Sequence, residues 1–410
     1  MLISNIYRRQ TNELLVYRFL VLSFKCVFLA LASAFILGLP FAAHAASGEF
    51  LLDGADSGAL TLQQAIDSAG TTHTITLQKN LSIPDGLEVD GKTIHFALGA
   101  YNLNVANDVG IGLYVHDGGV VDYTGTGKFA VSSSGKEALN IQGAGSAATI
   151  SSATVNTGGF NAIYAQYAVS VTVNGDVQAL GNHDWAIEVY SGANITVNGN
   201  VSAANGYGVY AGGHGTSVTV NGSVSASGKG NAGVYANAGT TVNVTGNITT
   251  SDGAAVAAYH LGTAVNVGAA VTANFTTAAS GYVDGGVAAY GGANVVIAGD
   301  VTVNTDDEQY AGASAYWGST VTIDGTLTAN KGWIKINGAM LSAAAAKATT
   351  TKANYKTYTD YDATVWLKDA GSSNHAAPAA VPTLNEYALS LLALALAGMA
   401  APRRRQDGSP

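Results

Sequence analysis

Short runs of alternating hydrophobic and polar residues recur through the middle of the chain. The clearest run is VTVNGSVSA, Val218 to Ala226. Similar runs begin at Val171, Ile195, Val242, Val265, Val295 and Val321. Successive starts are separated by 24, 23, 24, 23, 30 and 26 residues. The alternation predicts two short β-strands that place Val218, Val220 and Val224 on one face. A looser run, such as Gly233 to Ala236, predicts a third strand in each unit.

The length of the repeat distinguishes between architectures. Three strands and three corners in about 24 residues make one coil of a β-solenoid, with coils stacked about 4.8 Å apart. Asn221-Gly222 and similar dipeptides are expected to supply the positive φ of a tight corner. A β-propeller is the alternative, but each of its blades takes about 40 to 50 residues. We therefore predict an all-β fold, a right-handed parallel β-helix with coils of about 24 residues.

The sequence pattern of the N-terminal part of the chain indicates that the protein is exported. Residues 1–45 have a basic front, an apolar run from Cys26 to Ala43 and a small-residue cleavage site at Ala43-His44-Ala45, which together indicate a secretory signal peptide. An uncleaved membrane anchor is the alternative. Residues 46–147 are expected to form an N-terminal cap and irregular first coils. They include a helix at 60–70 that carries Leu62, Ala65 and Ile66 on one side.

The remaining boundaries follow from the decay of the repeat. Residues 148–338 are expected to form the regular coils, 339–370 a C-terminal cap, and 371–380 a small-residue linker. The order of a helix followed by short strands resembles the start of right-handed β-helix proteins of the pectate-lyase type.

The C-terminal tail carries the most specific motif. The tail has three parts: a short motif, an apolar run at 388–401 and a basic end. The motif residues are Val381, Pro382, Thr383, Leu384, Glu386 and Tyr387. The basic residues are Arg403, Arg404 and Arg405. The tail resembles the IPTL-CTERM sorting signal of Gram-negative bacteria, although Val381 stands for Ile and Tyr387 for Trp. The resemblance implies an exosortase-type sorting enzyme as partner. The apolar run predicts a single C-terminal helix that enters the inner membrane transiently, with the arginines retained in the cytoplasm. A permanent tail anchor is the alternative.

The amino-acid composition limits the classes of molecule that the protein is expected to bind. Only 11% of the 410 residues are charged, 51 are glycine, and the single cysteine lies in the predicted signal peptide. The net charge is −9 and no arginine occurs between Arg18 and Arg403. A chain of this charge is not expected to bind nucleic acid.

No catalytic, cofactor or metal site is predicted. Asp306, Asp307 and His214 resemble strings found in polygalacturonases, but their order along the chain is reversed. In a solenoid they would lie four coils, or about 19 Å, apart, which is too far for the two groups that cleave one glycosidic bond. The acidic run 306–308 also lacks the spacing of an EF-hand or a calcium-binding β-roll.

One tyrosine precedes the next repeat in most units. The six residues are Tyr190, Tyr210, Tyr235, Tyr259, Tyr290 and Tyr316. Because Val209 and Val234 alternate with two of them, the tyrosines are expected to point outwards and to stack in register as a ladder. The ladder has two interpretations: mutual support between coils, or a platform for sugar rings.

These observations predict an exported β-solenoid of a Gram-negative bacterium, with a structural or adhesive role. It is expected at the cell surface or cell envelope, or outside the cell after processing. It would be processed and anchored through its C-terminal signal, with envelope or extracellular polysaccharide as a further partner. The alternative is a β-helix enzyme that binds or degrades polysaccharide.

Overall fold

The chain folds as a stack of short parallel strands. A computed structural model describes residues 48–68, 70–156, 158–182, 184–275, 284–345 and 352–369. The predicted signal peptide, the linker and the tail with its apolar run lie outside the described residues. Among the residues described, no helix is long and apolar enough to cross a membrane.

The strands form three sheets, here called A, B and C. Sheet A has 15 strands: β1 (Phe50–Leu52), β2 (Ala55–Asp56), β3 (Thr72–Leu77), β6 (Thr93–Gly99), β9 (Val120–Gly125), β12 (Ala147–Ile150), β15 (Ser170–Val173), β18 (Asn194–Val197), β21 (Ser217–Val220), β24 (Thr241–Val244), β27 (Ala264–Val267), β30 (Asn294–Ile297), β33 (Thr320–Ile323), β37 (Tyr355–Asp360) and β38 (Ala363–Lys368). Sheet B has 11: β4 (Leu81–Ile83), β7 (Leu103–Asn107), β10 (Phe129–Ser133), β13 (Ser152–Val155), β16 (Val177–Ala179), β19 (Val201–Ala203), β22 (Val224–Ser227), β25 (Ile248–Ser251), β28 (Val271–Phe275), β31 (Val301–Thr305) and β34 (Leu327–Ala329). Sheet C has 12: β5 (Leu87–Asp90), β8 (Leu113–His116), β11 (Leu139–Gln142), β14 (Asn161–Gln166), β17 (Trp185–Tyr190), β20 (Val209–Gly212), β23 (Ala232–Asn237), β26 (Ala254–Tyr259), β29 (Gly285–Tyr290), β32 (Ala311–Tyr316), β35 (Gly332–Ile336) and β36 (Ala339–Leu341).

Every third strand along the chain returns to the same sheet, which confirms the β-solenoid. Sheet B contributes one strand to each coil, so the solenoid has about 11 coils. Neighbouring coils pair in parallel, with Ile195 opposite Val218 and Val218 opposite Val242. The parallel pairing excludes the propeller, whose blades are antiparallel meanders.

Columns of small aliphatic side chains fill the interior. Val218, Val220 and Val224 are at most 1% exposed, as the alternation predicts. Valine suits these positions because a β-branched side chain packs well on a pleated surface. The core is therefore a set of stacked columns that continues from coil to coil.

The corner between sheets A and B corrects one sequence prediction. Gly199 and Gly222 of the Asn-Gly dipeptides are absent from the positive-φ glycines of the described chain. These glycines are required for close packing instead, because a Cβ on Gly222 would lie 2.3 Å from the carbonyl oxygen of Gly199. The preceding asparagines stack as an amide ladder, with Asn221 Nδ2 donating to Asn198 Oδ1 at 2.8 Å. The expected positive φ was wrong because the constraint comes from the neighbouring coil.

Left-handed backbone occurs at the corner between sheets C and A. Ser191 and Gly192 have φ values of 56° and 79° there. The freed N–H of Gly192 donates to Thr216 Oγ1 of the next coil at 3.0 Å, and Thr216 Oγ1 donates to the carbonyl of Gly212 at 2.9 Å. Ser146, Thr263 and Ser319 accept equivalent bonds at other coils. A column of buried hydroxyls therefore supplies the hydrogen bonds that these corners need.

Both ends of the stack carry non-repeating elements. Helix α1 (Leu62–Ser68) buries Leu62, Ala65 and Ile66, as predicted. The Gln63 side chain donates to the carbonyl of Glu88 and accepts its N–H, so it satisfies part of the outer edge of β5. At the other end, β37 and β38 close sheet A as an antiparallel hairpin, preceded by a 3₁₀ turn at Ala343–Ala345.

Candidate functional site

The three outer faces differ in chemistry, and sheet C is the distinctive one. From β12 onwards, hydroxyl and amide side chains predominate on sheets A and B; examples are Thr172, Thr196, Thr219 and Asn243 on sheet A and Ser202, Ser225, Thr249 and Thr272 on sheet B. Sheet C carries aromatic, amide and carboxylate groups in the same outward positions. Sheet C is therefore the candidate binding face.

The tyrosine ladder is continuous but changes column twice. Tyr210 pairs with Tyr235, and Tyr259 pairs with Tyr290, which pairs with Tyr316. The remaining register partners are not tyrosines: they are Gly212 for Tyr190, Ala257 for Tyr235 and Asn237 for Tyr259. The ladder is thus made of two columns two residues apart, and the expectation of one column in register was wrong. A repeat unit fixes the column only approximately, because its loops vary in length.

Ring contacts bridge these changes of column. The centroids of Tyr210 and Tyr235 are 4.7 Å apart with their planes 9° from parallel, and Tyr259 and Tyr290 are 4.7 Å apart at 7°. Tyr235 and Tyr259 bridge the column change at 5.0 Å and 30°. Parallel stacking at this distance covers the ring faces with other rings. A sugar ring docks its C–H bonds onto the face of an aromatic ring, so the stacked part of the ladder presents mainly ring edges.

The C-terminal end of the ladder is buried. Tyr290 and Tyr316 are each 7% exposed, although they project from the outer side of sheet C. Asp284 accounts for part of this burial, because its N–H donates to the Tyr290 hydroxyl at 2.9 Å and its carboxylate accepts from the Tyr316 hydroxyl at 2.5 Å. Burial raises the pKa of Tyr290 to about 12. These two rings contribute to packing between coils, and their use as a sugar platform stays a prediction.

At the N-terminal end of the ladder, around Glu188, Tyr190 is tilted by 58° against Tyr210, whose ring stacks instead on Trp185 at 4.8 Å and 13°. The Glu188 carboxylate accepts hydrogen bonds from the Tyr190 hydroxyl, at 2.6 Å, and from the Asn161 amide. Its pKa is raised, mainly by burial and also by the charge of Glu137, against the lowering effect of the two hydrogen bonds. In the register of sheet C, Glu188 lies between Tyr164 and Tyr210. A half-buried carboxylate among aromatic rings is therefore the most unusual group on this face.

A row of amides adjoins this carboxylate. Gln142 Nε2 donates to Asn140 Oδ1 at 2.8 Å, and Gln166 Nε2 donates to Gln142 Oε1 at 3.1 Å. The Tyr164 hydroxyl donates to Gln166 Oε1 at 3.0 Å. Sequence reasoning missed the Glu188 cluster because its members come from three coils. The available signal was the substitution of Glu and Gln at outward positions that other coils fill with Tyr.

A second charged cluster lies on sheet C near the N-terminal end. His116 Nε2 is 2.8 Å from Glu88, and Nδ1 is 3.1 Å from Asp117 and 3.6 Å from Asp90. Burial lowers the pKa of His116, but the hydrogen bonds to Glu88 and Asp117 and the nearby charges outweigh it, so the pKa is raised. The ligand atoms of Asp90, His116 and Asp117 lie within 4.8 Å of one another. Because both ring nitrogens face carboxylates, the arrangement fits an imidazolium ion-pair cluster.

The residues that resemble polygalacturonase strings do not form a site. Asp307 closes the turn after β31, where its carboxylate accepts the N–H of Gln309 at 2.8 Å. His214 lies in the corner after β20, against Gly239. In the order of sheet C, β20 and β32 are separated by four coils. These two groups therefore cannot act on one glycosidic bond.

The comparisons with known proteins bear on the tail. No curated protein and no solved structure matches the chain. A family model, the IPTL-CTERM motif, matches residues 379–406. The matched range contains all the predicted motif residues from Val381 to Arg405, which lie outside the described structure. The C-terminal tail is therefore a sorting signal of the IPTL-CTERM family.

Proposed function

We propose that this protein is exported, recognised through its tail by an exosortase-type enzyme, and displayed at the cell envelope as a β-solenoid with a structural or adhesive role. The observation that carries the proposal is the IPTL-CTERM motif at residues 379–406. The basic front and apolar run of residues 1–45 support the export step.

The charge and hydrophobicity of the tail indicate what each of its three parts does. Arg403, Arg404 and Arg405 keep the C-terminus in the cytoplasm by the positive-inside rule. The apolar run at 388–401 is shorter than the roughly 20 residues of a comfortable membrane span, so it suits a transient stop. The motif from Val381 to Tyr387 then faces the outer side of the inner membrane, where a sorting enzyme can read it.

The solenoid suits display because its coils form a rod. About 11 coils at about 4.8 Å give a stack of roughly 50 Å. From β12 to β33, the outward positions of sheets A and B carry mainly uncharged hydroxyl and amide groups, which water solvates well, and the aliphatic columns hold the coils together. A rod of this kind supports a structural or adhesive role. The alternative, a polysaccharide-degrading enzyme, would generate new reducing or unsaturated ends from polysaccharide in the presence of the purified protein.

The tail motif is tested by replacing Pro382-Thr383 with Ala-Ala. The membrane stop stays intact, so the uncleaved protein is expected to accumulate in the inner membrane while the wild type reaches the envelope. Ser372-Ser373→Ala-Ala, in the linker, is the matched control and should be processed normally. Fractionation and intact mass measure both outcomes. If the envelope form of the wild type retains residues 388–405, the sorting interpretation is wrong and the tail is an anchor.

A further inference from the structure

We propose that the outer face of sheet C between β11 and β17 binds an uncharged polysaccharide, with Gln142, Gln166 and Glu188 as its hydrogen-bonding groups and Tyr164 and Tyr190 as its aromatic groups. The inference rests on the proposed function, because it names the ligand class of an adhesive solenoid. It places the binding site at the end of the tyrosine ladder rather than along it.

The aromatic part of the site comes from the loss of parallel stacking. Tyr164 and Tyr190 have centroids 6.5 Å apart and planes 62° apart, and Tyr190 and Tyr210 are 5.7 Å apart at 58°. Tyr190 tilts because its register partner is Gly212, where a Cβ would lie 2.9 Å from the Tyr190 ring. These tilted rings leave parts of their faces without a parallel neighbour, and a sugar ring docks on such a face.

The polar part of the site spans two columns of sheet C. Gln142 and Gln166 are register partners on adjacent strands, and Glu188 lies on the next strand in the neighbouring column, opposite Tyr164. Each primary amide has two donors and two acceptor lone pairs, so the bond between Gln142 and Gln166 leaves unused capacity on both. Neighbouring coils are about 4.8 Å apart, which is comparable with the length of one pyranose unit in an extended chain. A glycan that runs along the solenoid axis can therefore meet Gln142 and Gln166 with successive sugars and reach Glu188 in the neighbouring column.

The charge of the face selects an uncharged glycan. The chain has no lysine or arginine between Lys136 and Lys229, a segment that includes all the proposed site residues. Glu188 accepts hydrogen bonds from Tyr190 and Asn161, and the charge of Glu137 also acts on it. A uronate placed beside Glu188 would be repelled by its carboxylate, whereas a neutral sugar can donate its hydroxyls to Glu188.

The test measures binding of the purified full chain in mild detergent to immobilised β-glucan, mannan, chitin, polygalacturonate and alginate. We expect binding to one or more of the three neutral polymers and no binding to the two acidic ones. Gln142→Ala with Gln166→Ala should weaken the neutral binding by about tenfold or more, because two hydrogen-bonding groups are lost. The matched control is Asn243→Ala with Asn266→Ala. It removes an equivalent amide pair, bonded at 2.9 Å, from adjacent coils of sheet A, and should leave binding unchanged.

A variant that removes the charge of Glu188 provides an independent test of the preference for uncharged glycans. Glu188→Gln removes the negative charge and keeps the shape of the side chain, so it should raise the ratio of polygalacturonate binding to neutral-polymer binding; an unchanged ratio would refute the role assigned to the charge. Circular dichroism checks that each variant keeps its β-structure. Absence of binding to all three neutral polymers, or equal losses in the site and control pairs, overturns the inference. Because the assay is independent of export, normal surface display without binding refutes this inference alone, and binding without display refutes the proposed function alone.

Discussion

Replacement of Tyr235 by Ala tests whether the tyrosine ladder stabilises the solenoid. The Tyr235 ring stacks on Tyr210 at 4.7 Å, lies 5.0 Å from Tyr259, and meets the edge of Tyr207 at 5.6 Å. Each aromatic pair is worth about 0.5 to 1.5 kcal/mol beyond its buried area. Because the ring is only partly buried, the lower value suits each pair. Three pairs at about 0.5 kcal/mol, together with the lost apolar area, predict a decrease of about 2 to 3 kcal/mol in the free energy of unfolding.

Chemical denaturation of the purified protein, followed by circular dichroism, measures this change. Tyr235→Phe keeps the three ring contacts and should retain most of the stability lost in the alanine variant. Tyr167→Ala is the surface control, because Tyr167 is 55% exposed, and its effect should stay within about 0.5 kcal/mol. If Tyr235→Ala costs no more than Tyr167→Ala, the ladder does not support the coils. A ladder without a stability role would leave the platform for sugar rings as its remaining interpretation.

Three further predictions concern the coils. Gly222→Ala should destabilise the protein by about 1 to 3 kcal/mol in denaturation experiments, because its Cβ would lie 2.3 Å from the carbonyl oxygen of Gly199; an unchanged midpoint would refute the close-packing explanation. Val220→Asp should cost several kcal/mol and reduce the yield of folded protein, since Val220 is fully buried; secretion and melting like the wild type would contradict the inward assignment. His116 has a raised pKa in the folded state, so its contribution to stability should be present below its unfolded pKa and decrease as the pH rises through the folded one. His116→Gln should flatten that part of the profile of stability against pH, and an identical profile would refute the ion-pair interpretation.

The core could be predicted from the sequence because alternation reports burial directly. Val218 and Val220 lie inwards, and the runs that begin at Ile195 and Val242 pair with them residue by residue. Contacts between coils could not be predicted in the same way. The sequence shows Asn221-Gly222 as a turn dipeptide, whereas the reason for Gly222 is the backbone of the preceding coil. Local turn propensity and packing between coils favour the same residue for different reasons.

The tyrosine ladder is a second case in which the sequence did not predict the contacts between coils. Counting residues places one tyrosine in each coil, but a shift of two residues along a strand keeps a side chain on the same face and moves it to the next column. Tyr235 and Tyr259 differ by such a shift, and their rings still meet at 5.0 Å. The periodicity of a repeat therefore predicts which face a side chain occupies. Its exact neighbours depend on the length of each loop.

The spacing of coils in a solenoid also limits what an aromatic column can bind. Rings that repeat at about 4.8 Å stack on one another, so a perfect column uses its ring faces for its own stability. Tyr259, Tyr290 and Tyr316 follow this rule, with planes 7° and 14° from parallel. A ligand needs a place where the column is interrupted. On sheet C the interruption occurs at Gly212 and Glu188, where the rings tilt and polar groups take the outward positions. Recognition and stability are thus expected to separate along the axis, with the site where the ladder begins and the support where it is regular.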